Sequence, residues 1–596
     1  MRPRVGLYVC HCGGNISDYV DVKKVAESLK QEDLDVVVSK DLMFDCSDAS
    51  QNEMIEDIKN QKLDRIVIAA CSPKLHEITF RGTAERAGLN PYMLYHTNIR
   101  EQSSWAHGDD KAGATAKATA HARAGIAYVK LADPLEKIKT ESTQTVLVIG
   151  GGIAGIRAAI DLAEKNVGVV LVERSPSLGG HVAQLGEVYP YGKRGSEVVK
   201  DLARELMGKE NVVVFTNAIV ESYKGYVGKF EVKIRVSPRH MLSESSNPDQ
   251  KDEEVTIRVG SIVVATGVDS YTPKVGEFGY GVVKGVVTLP ELERLQELSA
   301  GDRLEHQGRQ VKDIAFIYCV GSRQKEIQEG EGVASDASSR PNKYCSRFCC
   351  NAAMNSALVL SKRYRDLSIC HLYRDMRTYG RNELMYESAA KEGSIFVRFD
   401  DEDPPIVTER EGKCIVTVRG SLVGNLPVEF SFDMVVLVTG MVPRANAQLN
   451  ELLSLPIGND GFYKEVHLKL RPVETSIAGL VIAGSAQFPK DMKETLASGS
   501  AAAAKAAAFA LKKELELEPF VAKVDTMTCE ANQACIAECP FGAIELRDFQ
   551  GKKAAYVNTA KCKGCGACVA VCPTEAIQLQ GFTNNEMRAM IGALAR

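Results

Sequence analysis

Neither a long uncharged apolar run nor a surplus of one sign of charge is found in these 596 residues. Crossing a bilayer takes roughly 20 consecutive apolar residues. The longest candidate, the alanine-rich stretch after Ser500, is interrupted by Lys505 and reads as a helix in a water-soluble protein. Lys and Arg (73) nearly balance Asp and Glu (77), giving a net charge of −4, so no global field favours nucleic acid or an anionic membrane as partner. Nothing at the start resembles a secretory leader, because Arg2 and Arg4 run straight into strand-like residues 5–10, and none is expected. The expected location is the cytoplasm, where thiols stay reduced. Against these absences stands one excess of 17 cysteines, seven between Cys529 and Cys572 and four between Cys319 and Cys350. In a reducing compartment such clusters ask for metal or redox chemistry.

The length exceeds what one hydrophobic core supports, and the pattern of elements divides it. The first 130 residues alternate strand-like runs (4–9, 34–38, 65–70) with helix-like ones (20–30, 52–60), the rhythm of a parallel α/β domain that ends in an alanine-rich helix. Residues 137–144 read as a linker. A larger α/β region follows to about residue 515, with surface loops expected at 237–254 and 330–342. The expected division is 1–140 for the N-terminal domain, 145–275 for the first part of a dinucleotide-binding domain, and 276–430 for a second Rossmann-like domain. The first domain's return segment follows at 431–515, then a cysteine-rich module at 520–582 and a helical tail at 583–596.

The strand-like run Val146-Leu147-Val148-Ile149 is followed by Gly150-Gly151-Gly152-Ile153-Ala154-Gly155 and then a helical pattern. Gly150 permits the tight turn, Gly152 lets a pyrophosphate approach the helix N-terminus, and Gly155 allows close helix packing. A second strand ends at Glu173-Arg174, placing the acid to accept a ribose hydroxyl. Ser177-Leu178-Gly179-Gly180-His181 and Val264-Ala265-Thr266-Gly267 follow, and Gly479-Leu480-Val481-Ile482-Ala483-Gly484-Ser485 returns late in the chain. Together these resemble the flavin half of the thioredoxin reductase and glutathione reductase group, which implies FAD. Ser485 stands where that group usually has Asp. The second half departs further. Its strand ends in Cys319-Val320-Gly321-Ser322-Arg323, with one glycine instead of three, and no Cys-x-x-Cys pair lies in this region. An NAD(P)H-dependent disulfide reductase is therefore disfavoured.

The tail carries Cys562-x2-Cys565-x2-Cys568-x3-Cys572-Pro573, the ferredoxin spacing in which three thiolates hold one cluster and the fourth reaches a neighbour. Its partner half is Cys529-x2-Asn532-x2-Cys535-x3-Cys539-Pro540. Crossed ligation assigns Cys562, Cys565, Cys568 and Cys539 to one 4Fe–4S cluster. Cys529, Cys535 and Cys572 remain for the other, with Asn532 where a thiolate is expected. That site is open to three readings: 3Fe–4S, 4Fe–4S with a non-cysteine ligand, or empty.

The middle group, Cys319 with Cys345-Ser346-Arg347-Phe348-Cys349-Cys350, resembles the FAD and iron–sulfur subunit of heterodisulfide reductases. The resemblance extends to Val9-Cys10-His11-Cys12-Gly13-Gly14-Asn15-Ile16, Ala69-Ala70-Cys71-Ser72-Pro73, Asn98-Ile99-Arg100-Glu101-Gln102 and Gln487-Phe488-Pro489-Lys490-Asp491. It implies a two-dinucleotide-domain flavoprotein with an N-terminal α/β domain and a C-terminal α+β two-cluster ferredoxin. It also implies an atypical 4Fe–4S cluster on Cys319, Cys345, Cys349 and Cys350. The implied partners are subunits B and C and a hydrogenase or dehydrogenase donor, with a homodimer inside the larger complex. The implied activity converts two-electron flavin chemistry to one-electron transfer, with flavin-based bifurcation as an extension. Many methanogen versions carry an inserted ferredoxin that is absent here, since the loop around 239–254 has no cysteine.

Cys10, Cys12, Cys46 and Cys71 form a further candidate set, because three of them follow expected strands whose carboxyl ends converge. Ordinary buried thiols are the alternative there, and Cys370 and Cys414 are read as structural. Between two and four clusters are thus expected. Arg374, Arg377 and Arg381 could stabilise a reduced flavin but are read as solvent-facing, and His181 is a weak candidate for touching the flavin. Two other functions remain in view: a stand-alone NAD(P)H-dependent flavoprotein oxidoreductase and a non-catalytic iron–sulfur scaffold.

Overall fold

A computed structural model describes residues 2–237, 252–299, 301, 303–325, 341–419 and 426–595. Most of the two loops expected at 237–254 and 330–342 lies outside the described residues. The chain falls into two compact units, Met1–Thr140 with Leu515–Arg596, and Glu141–Glu514. The N-terminal domain and the cysteine-rich module, expected as separate domains, belong to the same unit. The cause is apolar. Tyr128 on the long helix Lys111–Leu131 stacks near Phe582 and donates its hydroxyl to the Gly581 carbonyl. Arg81 lies over the Tyr92 and Phe520 rings while pairing with Glu518 at 2.6 Å.

In that unit the strands Val36–Leu42, Val5–Cys10, Arg65–Ala70 and Leu94–Asn98 form, in this order, a parallel sheet. Val5–Cys10 is buried throughout, which explains its unbroken apolar run. The sequence order changes direction between Val5–Cys10 and Arg65–Ala70, creating a crevice at their carboxyl ends. The expected linker is partly structured: Ile138–Glu141 is a short strand in which Thr140 is buried and its neighbours are not, the alternation of a half-covered strand.

The larger unit contains two parallel sheets of five strands. The first runs Val212–Phe215, Gly168–Val172, Thr145–Ile149, Ser261–Val264, Leu480–Ile482. The second runs Val286–Thr288, Met434–Thr439, Asp313–Val320, Ser368–Tyr373, Ile395–Arg398. Each has an antiparallel three-stranded meander beside it in sequence. The expected boundary after residue 430 needs correction. Met434–Thr439, fully buried between Val286–Thr288 and Asp313–Val320, is an inner strand of the second domain's sheet, and the return to the first is completed by Leu480–Ile482. A buried parallel strand reads as a plain apolar run, so the sequence does not say to which sheet it belongs.

Candidate flavin cleft and iron–sulfur sites

The first sheet ends in a cleft of about 2890 Å3, measured with its open mouth. Gly150, Gly152, Ile153, Ala154, Glu173, Arg174, Gly179, Gly180, His181, Thr266, Gly267 and Ser485 all line it. Gly152 caps the helix Ile153–Ala163, and the space a side chain would occupy there is free. The first-turn N–H groups of that helix therefore face an open, anion-sized gap. Gly150 has φ +111°, and a side chain on it would strike the Ala265 carbonyl. Gly155 is not in the lining. It packs against the Gly150 carbonyl, the structural role expected of it. Gly484 is likewise buried beneath the cleft, donating its N–H to Ser498 Oγ at 2.9 Å. Glu173 accepts from the Gly151 and Ser175 N–H groups at 2.6 and 2.8 Å, which fixes the carboxylate and leaves it acceptor capacity for a ribose. His181 Nε2 donates to the Val268 carbonyl at 2.6 Å, so its ring is fixed by backbone at the cleft wall. Arg381 is exposed on the same rim.

Two cleft residues carry no signature in the sequence, Asn351, whose buried Oδ1 has no partner, and Glu293; Lys490, from the Gln487–Asp491 segment, lines the cleft as well. Burial pushes the Glu293 carboxyl up to about 7 and the Lys490 ammonium down to about 8. An orphaned buried acceptor beside an open backbone cradle suits a polar cofactor, so the residues present fit FAD.

The helix Cys349–Arg363 forms the wall between this cleft and the middle cysteines. Phe348, Asn351, Ala352 and Asn355 face the cleft, whereas Cys349 and Cys350 are buried beside Cys319, near Cys345. Cys319 has φ +64°, where the strand leaves its regular register. Cys345 Sγ accepts the Arg347 N–H at 3.3 Å, and the fully buried Ser346 accepts the Met441 N–H at 2.9 Å. The Cys349 thiol hydrogen-bonds Cys350 and, with Arg377 and Arg323 nearby, draws the Cys350 thiol below its ordinary range. Burial raises the Cys319 thiol and Arg374 opposes that rise. Arg374 is thus no solvent-facing residue. Its side chain, 13% exposed, donates to the Ser322 and Arg323 carbonyls at 3.0 and 3.1 Å, because this strand end needs donors for carbonyls that no helix caps. Arg323 pairs with Asp375 at 2.8 Å. The positions at which a nucleotide would approach are filled: Gly321, φ +72°, lies against the ring of Tyr271.

In the cysteine-rich module, two hollows reproduce the crossed pattern. One is lined by Cys539, Cys562, Cys565 and Cys568; the other by Cys529, Asn532, Cys535 and Cys572. N–H groups of Ala522, Ala543 and Ala555 donate to Cys562, Cys539 and Cys529 at 3.4, 3.4 and 3.5 Å. Burial disfavours the Cys572 thiolate, yet the Ile577 and Thr574 groups hold that thiol below its ordinary value. Among the described residues, no three His, Cys, Asp or Glu side chains gather tightly enough for a single metal ion. Thiols arranged round a hollow with N–H donors behind them fit a multi-iron cluster.

Cys10 closes the strand Val5–Cys10, Cys12 and Cys71 lie just past the carboxyl ends of this strand and of Arg65–Ala70, and Cys46 lies on the loop after Val36–Leu42. Arg100 donates to Cys12 Sγ at 3.4 Å. Asp45, missed in the sequence although it precedes Cys46, is fully buried, donates its N–H to Cys10 Sγ at 3.4 Å, and has its carboxyl beside the Cys10 thiol. Burial holds that carboxyl well above its usual range. Cys370 and Cys414 sit inside strands of the second domain, their thiols raised by burial to about 12 and about 11.

Known proteins resemble the chain in the same parts. The pyridine nucleotide-disulphide oxidoreductase family matches residues 144–316 and the 4Fe-4S dicluster domain matches residues 527–576, which makes FAD and iron–sulfur clusters the cofactors. The Lactococcus lactis thioredoxin reductase (FR conformation) is similar at 18% identity, over 62% of this chain and 99% of that one, with a TM-score of 0.40. The A-type subunit of the H(2):CoB-CoM heterodisulfide,ferredoxin reductase of Methanothermobacter thermautotrophicus is 36% identical over 92% of this chain and 91% of its own length. An A-type iron-sulfur subunit of the CoB--CoM heterodisulfide reductase of Methanopyrus kandleri is 38% identical over 92% of both chains. With that identity over nearly the whole length of both chains, the chain belongs to the family of A-type heterodisulfide reductase subunits.

Proposed function

We propose that this chain is the FAD and iron–sulfur electron-transfer subunit of a heterodisulfide reductase-like complex, an oxidoreductase component that converts electron pairs to single electrons. The observation that carries the reading is the helix Cys349–Arg363, with one face on the flavin cleft and its first turn among the middle thiols. A helix is about 10 Å across with its side chains, so the flavin and a cluster on Cys319, Cys345, Cys349 and Cys350 would be close neighbours. FAD supplies two-electron chemistry and iron–sulfur clusters supply one-electron steps. The chain's part is to hold both, to supply N–H and guanidinium groups that favour thiolate, and to cover the site with protein. Tyr271 against Gly321 bars the pyrophosphate cradle of an NAD(P)H site, which disfavours a stand-alone NAD(P)H oxidoreductase.

Crossed ligation in the ferredoxin module is proposed with Cys539 joining Cys562, Cys565 and Cys568. A further cluster at Cys10, Cys12, Cys46 and Cys71 is supported by their convergence at the sheet's switch point. Partner subunits B and C, a hydrogenase or dehydrogenase donor, a homodimer and a cytoplasmic location complete the reading. Among the described residues no helix is long and apolar enough to cross a membrane. Flavin-based bifurcation remains an extension of this reading, less securely implied because residues 239–254 carry no cysteine and so lack the inserted ferredoxin of many methanogen versions. Anaerobic purification tests it: FAD, cluster spectra and co-purifying subunits are expected together, and a preparation without flavin would favour the scaffold instead.

A further inference from the structure

The two halves of the cysteine-rich module superimpose in sequence and in local form, and they differ at one ligand. Gly566 (φ +78°) precedes the short helix Ala567–Ala570, and Gln533 (φ +67°) precedes the equivalent helix Ala534–Ala537. Cys565 and Asn532 therefore occupy matching places. Both are exposed, and Cys565 is the one exposed cysteine of the seventeen, all of which are described. Asn532 borders its hollow, and its Oδ1 accepts the Ala534 N–H at 3.1 Å, so the carboxamide is already engaged in closing the turn. The hollow itself is kept: Cys529, Cys535 and Cys572 line it as Cys539, Cys562, Cys565 and Cys568 line the four-thiol one. The other polar side chains on its wall, Glu530, Gln533 and Thr574, have no counterpart in the thiol pattern.

We infer that this hollow holds a 4Fe–4S cluster on three protein thiolates, with its fourth iron at the solvent-facing corner and without a protein ligand. That iron takes water, hydroxide or a small external thiolate, and it is exchangeable. This rests on the ferredoxin reading and on no other part of the proposed function. One-electron oxidation of the cluster in its 2+ state by an outer-sphere oxidant such as ferricyanide gives the 3+ state. Release of Fe2+ then leaves a 3Fe–4S centre of charge 1+, with all four sulfides retained and one electron passed to ferricyanide.

The experiment uses the full chain, reconstituted anaerobically, as wild type, Asn532→Cys, Asn532→Ala and the pair Asn532→Ala with Glu530→Gln. Each is titrated with ferricyanide while released Fe2+ is measured with a chelator and the 3Fe–4S signal is followed by EPR. Wild type should release one iron per chain that Asn532→Cys retains, with the matching EPR signal lost in Asn532→Cys. Both alanine variants should behave as wild type. Equal release from wild type and Asn532→Cys would overturn the inference. So would one cluster fewer in wild type than in Asn532→Cys before oxidation, since the hollow would then be empty. Loss of that cluster in either alanine variant would overturn it as well, by making the amide or Glu530 a ligand. Absence of all ferredoxin-type clusters, in wild type and Asn532→Cys alike, would instead strike the ferredoxin reading on which the inference stands.

Discussion

Glu293 is a half-buried carboxyl in the wall of the flavin cleft, and burial raises it from its ordinary 4.5 to about 7. Only the Gly186 N–H, at 3.4 Å, opposes that rise. A carboxyl whose folded pKa is raised adds stability that is complete below its unfolded pKa and is lost as pH climbs through the folded value. Its window here is about 4.5 to 7. Glu293→Gln should therefore match wild type in thermal midpoint at about pH 4.5 and exceed it increasingly up to about pH 7, with a constant gap above. A gap independent of pH would contradict this. A second residue-scale expectation concerns Gly155, where a side chain would strike the Gly150 backbone carbonyl. Gly155→Val should leave the purified chain without flavin absorbance while its cluster spectra persist.

At the scale of elements, the helix Asn584–Leu594 is closed by a capping box: the Thr583 hydroxyl accepts from Glu586 N–H, and the Glu586 carboxylate accepts from Thr583 N–H. Thr583→Ala should lower the local opening free energy of that helix, read by amide hydrogen exchange, by about 1 kcal/mol. The helix Cys349–Arg363 makes a different expectation. Cys345→Ser, just before it, should remove one cluster's spectroscopic signal and leave FAD bound; unchanged iron content would remove the middle cluster from the account. These elements also show which parts of the site are legible in sequence. The Gly150–Gly155 turn and the Cys562–Cys572 run are local, with spacing dictated by one turn and one cluster, so the residues name their own geometry. Tyr271 over Gly321, Arg374 on the Ser322 and Arg323 carbonyls, and Asp45 beside Cys10 bring together distant segments or depend on burial, and neither leaves a pattern along the chain. Met434–Thr439 eluded assignment for the same reason, since its partners, not its residues, place it in the second sheet.

Over the whole molecule, 17 cysteines become three proposed cluster regions and two structural thiols, Cys370 and Cys414. Asn532 marks the one ferredoxin ligand position that carries no thiol. The lost nucleotide cradle predicts that NADPH alone, added anaerobically to the chain without other subunits, leaves the flavin oxidised; rapid bleaching would restore an NAD(P)H site. The central claim, that flavin and clusters exchange pairs for single electrons across the helix Cys349–Arg363, is tested most directly by stopped-flow mixing with a one-electron donor, reduced methyl viologen. Flavin bleaching and cluster signals are followed in wild type and Cys345→Ser. The account predicts that cluster reduction precedes flavin bleaching in wild type and that bleaching slows markedly in Cys345→Ser with FAD fully bound. Flavin bleaching at the same rate in both would contradict it.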